Sequence, residues 1–331
     1  MPFLTRRRAA PVTESQGFGH AELNAGGSRV VIIPELGGKI ASLELGGRQW
    51  LWTNPSIPFR APERGASYVE TADSGGFDEC VPTIAPCVLP PSAGPLAGVV
   101  LPDHGDLWSQ RPTIELVTGR DGHEAKMTWR GVSMPYRVSR IVRVEASGEV
   151  VMRYAVRNDG KDRMPFLWSA RPLFPLTDRT RLILPIGEPV RLQRAERVDL
   201  GGTGSEHRWP LFRSGKDVLD LTRPGAVRRK FAAKVFFTSV PGTAALEEGG
   251  TRLEIRFDPE TVPDFGVWIN HQGWSPKRKI PAYSNVSLQP SIGAPDSLAD
   301  ALTGWQRAQW IEPGKTRKWT VRWIGKVSPA A

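Results

Sequence analysis

The sequence predicts an all-β protein, a sandwich or barrel of many short antiparallel strands. Three features carry that expectation. Apolar and polar residues alternate over long runs. The 34 glycines and 30 prolines are scattered without a period, which suits frequent turns. One stretch alone stands out with helical spacing.

Residues 30–33, 39–45 and 49–53 read as the first strands, and 113–117 and 125–130 as the next pair. Tyr136, Val138, Arg140, Val142 and Val144 then alternate with Arg137, Ser139, Ile141, Arg143 and Glu145. After a turn at Ser147-Gly148, Val150, Met152, Tyr154 and Val156 alternate again as far as Asn158-Asp159-Gly160. This predicts a long hairpin with one buried face, Arg140 being its polar exception. Residues 318–323 repeat the rule, with Trp319, Val321 and Trp323 on one face. Asp296 or Ser297 is suited to cap a helix in which Leu298, Ala301, Leu302 and Trp305 recur, weakened by Gly304. No linker or internal repeat interrupts the chain. One domain over 16–331 is expected, with residues up to about Ser15 as a loose tail.

At 331 residues the chain is long enough to bury a large core. No apolar run approaches the ~20 residues that span a bilayer, so no membrane partner is expected. The start, MPFLTRRRAAPV, puts its few apolar residues before its basic run, the wrong order for a secretory signal, and a cytoplasmic location is expected. Cys80 and Cys87 form neither a disulfide framework nor a familiar zinc spacing; they read as reduced thiols. The net charge of +10 attracts anions. Its basic clusters at 6–8, 228–230 and 277–279 lie far apart, and no nucleic-acid motif accompanies them. Solvated surface is a plainer account of these clusters than nucleic-acid binding, and an anionic small molecule is a further reading of the same charge. The oligomeric state is not legible.

Several segments carry chemistry. Asp103-His104-Gly105-Asp106 supplies an imidazole between two carboxylates, either of which could orient the ring; the plainer alternative is a turn built around Gly105. Asp78 and Glu79 follow Gly75-Gly76 and could approach ligand hydroxyls, or be surface residues. Asn270-His271-Gln272-Gly273-Trp274 offers amide, imidazole and indole groups from one loop. Trp108 and Trp274 suit the apolar face of a sugar, or the core. No metal-ligand spacing, dinucleotide fingerprint, phosphate loop or nucleophile elbow is present, so neither metal nor cofactor is expected.

Five segments resemble, in order, the aldose 1-epimerase (galactose mutarotase) superfamily. They are PELGGKIASLELGGRQWLW (34–52), SGGFDECVPTIAPC (74–87), LPDHGDLW (101–108), PFLWSARPLFPL (165–176) and LQPSIGAPDSL (288–298). Glu312-Pro313-Gly314 and a closing strand around Trp319 follow. The resemblance implies a large antiparallel β-supersandwich with few short helices and a sugar cleft on one concave face. It also implies proton-handling side chains at three positions. The family's His-Gly pair is matched by His104-Gly105, its second histidine is replaced by Arg171, and its glutamate base by Gln289.

Mutarotation needs a base for the anomeric hydroxyl and an acid for the ring oxygen. Gln289 has no useful protonation change, and Arg171 is too basic to serve as an acid. The expectation is an aldose 1-epimerase-like isomerase with His104 as principal acid/base, helped by Asp103 or Asp106. Arg171, unpaired beside a glutamine, would be free to hold an anionic or acidic sugar. Gln289, Asp78, Glu79, Trp108, Asn270, His271 and Trp274 complete the expected substrate contacts. A non-catalytic sugar-binding protein, or another sugar reaction such as an elimination, stays open.

Overall fold

Alternation along the chain becomes two large antiparallel sheets stacked face to face. The computed structural model describes residues 12–15, 17–63, 66–119, 122–240, 242–276 and 280–327. Among these, one sheet has thirteen strands and the other eight. The hairpin read from the sequence is the pair Tyr136–Glu145 and Val150–Asn158 in the smaller sheet, joined on one side by Thr316–Val327. Tyr136, Val138, Val142, Val144, Trp319, Val321 and Trp323 face the core, as their periodicity requires.

The sheets meet through aromatic rings, Phe77 on Trp323 at 5.1 Å, Trp168 on Trp319 at 4.9 Å and Phe257 on Phe265 at 5.6 Å between centroids. Each such ring contributes on the order of 2–3 kcal/mol by leaving water. Arg140, the polar exception, is buried in this core and donates to Glu79 at 3.2 Å and to the Gly38 carbonyl. Glu79 is also held by Tyr154 at 2.9 Å and Trp168 at 2.7 Å.

Two expectations change. Residues 49–53 do not form one strand: Arg48–Gln49 pairs with Glu44 and Leu45, and the chain then crosses to a bridge between Thr53 and Gly75. Of the expected N-terminal tail, Val12–Ser15 is a strand on Phe18–Ala25; residues 1–11 lie outside the described residues, as do the basic clusters 6–8 and 277–279. The helix is Leu298–Leu302, capped by the Ser297 hydroxyl, which accepts from the Asp300 amide at 3.1 Å. It stops short of Trp305, two residues before Gly304. No helix among the described residues is long and apolar enough to cross a membrane.

The larger sheet positions the site. Its central strands lie in the order Phe77–Cys80, Trp168–Pro172, Ser284–Ile292, Asp264–His271, Phe231–Phe237 and Pro189–Glu196. One face packs on the smaller sheet, and the other is covered by loops from residues 66–73, 84–86 and 102–109.

Candidate functional site

Side chains alternate across a strand, so this cluster of strands presents a second, polar row away from the core. Arg171 projects from Trp168–Pro172, Asn285 and Gln289 from Ser284–Ile292, Trp268 from Asp264–His271, and Lys234 from Phe231–Phe237. These residues, with Gln193 and Arg194, form one wall of a cavity of about 650 Å3. The covering loops add Ser67, Asp73, Asp103, His104, Trp108, Trp274, Tyr283 and Asp296. That volume falls within the ~300–1,000 Å3 of small-molecule sites.

His104 has φ +59°, a left-handed conformation uncommon outside glycine, and Gly105 follows at φ +73°. Gly105 bridges Val81, and a Cβ there would lie 2.1 Å from the Val81 carbonyl oxygen, so only glycine fits. This turn aims His104 into the cavity. Its Nδ1 bonds Asp103 Oδ1 at 2.7 Å, and its ring stacks on Tyr68 with centroids 4.0 Å apart. Burial and the nearby Arg171 charge lower the histidine pKa, Asp103 opposing them in part, so the ring is neutral at pH 7. Burial works against the Asp103 charge. The His104 hydrogen bond, the Val69 amide and the Ser67 hydroxyl outweigh it and bring that carboxyl down to about 2.

Arg171 is not the free cation expected from the sequence. It donates to Asp73 at 3.1 Å and to the Tyr68 hydroxyl at 2.9 Å, and the Tyr283 hydroxyl donates to the other oxygen of Asp73 at 2.5 Å. Burial disfavours the guanidinium charge, but Tyr68 and Asp73 drive its pKa higher still. The pairings Ser169 with Ser291 and Phe174 with Val286 share one register, which sets Arg171 across from Gln289. Gln289 is buried, and its Oε1 has no hydrogen-bond partner among the described residues. Next to it in the sheet stands Gly266, where a Cβ would come within 3.2 Å of that oxygen.

Of the expected site residues, His104, Asp103, Arg171, Gln289, Trp108 and Trp274 line the cavity. Five others do not. The Asp106 carboxylate is occupied by the Val132 and Ser133 amides, the Ser133 hydroxyl and Tyr136, and so pins a turn. Asp78 is sealed behind the site by Lys39 and Tyr68, and Glu79 belongs to the core pair with Arg140. Asn270 accepts from the Gly273 and Trp274 amides and builds their loop. His271 lies edge-on to Phe231, away from the cavity.

Lys234 and Asp296, an ion pair on the cavity wall, were not picked out in the sequence as site residues. A lysine inside FAAKVFF, an otherwise apolar strand, is the one signal that could have found them. Burial lowers the Lys234 pKa, Asp296 raises it, and Arg171 lowers it further. Tyr68, Asp73, Tyr283 and Trp268 were missed as well, since only tertiary contact brings them here. Among the described residues, no group of three or more His, Cys, Asp or Glu is placed to hold a metal.

These features define a class: a two-sheet β-supersandwich with a loop-lined cavity on one face. No family model and no curated protein sequence matches the chain. Solved structures do. The Slr1438 protein of Synechocystis sp. PCC 6803 aligns over 99% of this chain and 100% of its own at 16% identity and TM-score 0.66. A candidate aldose 1-epimerase of Escherichia coli K12 aligns over 93% and 99%, at 18% identity and TM-score 0.66. A galactose mutarotase-like protein of Lactobacillus casei aligns over 93% and 100%, at 14% identity and TM-score 0.60. The chain therefore has the galactose mutarotase-like fold.

Proposed function

We propose that this chain is a carbohydrate-active isomerase that interconverts the anomers of a sugar bound in the covered cavity, with His104 as its principal acid/base. One observation carries the reading: a neutral, oriented imidazole lines a cavity that also presents hydrogen-bonding side chains and indole rings. With Nδ1 engaged by Asp103, Nε2 is the nitrogen left to exchange a proton with the anomeric hydroxyl. The buried, unpartnered Gln289 oxygen calls for a donor such as a sugar hydroxyl. Trp268 and Trp274, edge-to-face at 6.0 Å, offer apolar surface for a sugar ring.

The charge balance favours a neutral sugar. Arg171 is matched by Asp73 and Lys234 by Asp296, so the expectation of an acidic sugar held by Arg171 loses its support. A second reading, sugar binding without turnover, is favoured by Gln289, an amide that exchanges no proton.

NMR exchange between anomers, over a panel of aldoses, uronic acids and sugar phosphates, tests both. The isomerase reading expects acceleration that falls about 100-fold or more in His104→Ala, with affinity kept within about tenfold, ~1.4 kcal/mol. A bound sugar with no acceleration in the wild type would sink that reading in favour of binding alone.

A further inference from the structure

We infer that Lys234, held by Asp296, is the second proton-transfer group of the cavity, serving the ring oxygen while His104 serves the anomeric hydroxyl. The inference rests on the isomerase reading, which leaves one proton unassigned: Gln289 cannot supply it, and Arg171 is locked to Asp73 and Tyr68.

The pair is built rather than incidental. Lys234 is the only charged residue in Phe231–Phe237, and its flanking residues Ala233 and Val235 are core. Its side chain is nearly buried, yet it lines the cavity. Asp296 is fixed by its backbone. Its carbonyl accepts from the Ile84 amide at 2.8 Å, the Ala85 amide at 2.9 Å and the Thr83 hydroxyl at 3.1 Å. Its own amide donates to Gln193 at 3.3 Å. That clamp aims the carboxylate at Lys234 Nζ. Asp296 is the one acceptor the described residues give this ammonium, which has three donors. Two N–H groups are left for a ligand. An ion pair kept in a strand that could pack apolar side chains is costly, and a use at the cavity wall accounts for it.

The step balances. The anomeric O–H gives its proton to His104 Nε2 as C1=O forms. The C1–ring oxygen bond breaks, its electron pair goes to the ring oxygen, and a Lys234 N–H proton follows. After rotation about C1–C2 the neutral amine takes that proton back, the ring closes on the other face, and His104 returns its own. Asp296 holds the ammonium form at the start of each cycle. The other charged and titratable groups that act on Lys234 are Arg171 and Cys80, which lie across the sheet with two and three strands between, and Arg194, its register partner on the adjacent strand Pro189–Glu196. Burial and Arg171 make the ammonium a better donor than a lysine in water, consistent with this role.

The test is the pH profile of anomer exchange for the best sugar of the panel, with affinity measured alongside. The rate should rise as pH rises through the His104 pKa and fall as pH rises through that of Lys234. Lys234→Met should lose about 100-fold or more and the alkaline limb, with affinity kept within about tenfold. Because that variant strands Asp296, Lys234→Met with Asp296→Leu removes the pair together and should lose the same limb. Asp296→Asn keeps the lysine but removes its anion, so its alkaline limb should move to lower pH. A His104-dependent rate that survives both lysine variants within about threefold, or an alkaline limb unmoved in Asp296→Asn, overturns this inference and leaves the isomerase reading standing. No acceleration by the wild type overturns both.

Discussion

Two buried lysine–aspartate pairs have their lysines in the same large sheet, and they differ in how completely they are satisfied. Lys39 and Asp78 are both almost fully buried. Lys39 also donates to the Gly75 carbonyl at 2.8 Å, and Asp78 also accepts from Tyr68, the ring on which His104 stacks. Lys234 and Asp296 contact each other in the same way, but the aspartate side chain is 15% exposed and both face the cavity. The first pair is a closed strut behind the histidine; the second is open on one side. Chemical identity does not separate a structural ion pair from a working one. The count of donors left over does.

The largest effect should come from breaking the strut. Lys39→Met leaves the Asp78 carboxylate buried beside Tyr68 alone and should cost about 3–5 kcal/mol, read as a lower midpoint in urea unfolding. An effect under about 1 kcal/mol would erase the distinction between the two pairs. Acid sensitivity comes next. The folded Asp103 pKa of about 2 lies below its unfolded value, so its contribution is complete above about pH 4 and is lost as pH falls through about 2, roughly 2 kcal/mol in all. His104 acts in the same direction at higher pH: its lowered folded value adds stability that is lost as pH falls below the ordinary histidine range. Asp103→Asn should flatten the pH dependence of Tm between about 4 and 2.

Gln289→Leu should weaken sugar binding by about 1–2 kcal/mol while leaving the fold as stable or slightly more so, because it removes an unpartnered oxygen. Calorimetric titration with the best sugar, beside a thermal melt, checks both. No loss of stability is expected for Lys234→Met with Asp296→Leu. Replacing an open pair by apolar residues should be neutral or stabilising by up to about 4 kcal/mol, against the clear loss expected at Lys39.

The smaller sheet was readable because its strands have one wet face and one dry one. The 136–156 hairpin shows the period directly, and Arg140 was visible as its exception, although its partner Glu79 was not. The strands that carry the site were harder. Phe231–Phe237 and Ser284–Ile292 are buried on nearly every residue, since loops cover the cavity face, and alternation fades there. His104, Arg171 and Gln289 came from resemblance, and the cavity contains all three. The pairing of Arg171 with Asp73 links positions 98 residues apart, a separation that no local pattern encodes. That Asp78, Glu79, Asp106, Asn270 and His271 lie away from the cavity lining was hidden for the same reason: a polar residue near a candidate loop looks alike whether it faces a ligand or braces the loop from behind.

Gly266 has a consequence for what this protein could become. It is the missing tooth in a comb of side chains spaced about 4.8 Å apart across the sheet, between Gln289 on one side and Phe236 on the other. A methyl group there would press on the Gln289 amide at 3.2 Å and the Phe236 ring at 3.1 Å. A side chain grown at position 266 would therefore reach the cavity only by pushing on Gln289, the one of these two neighbours that lines it.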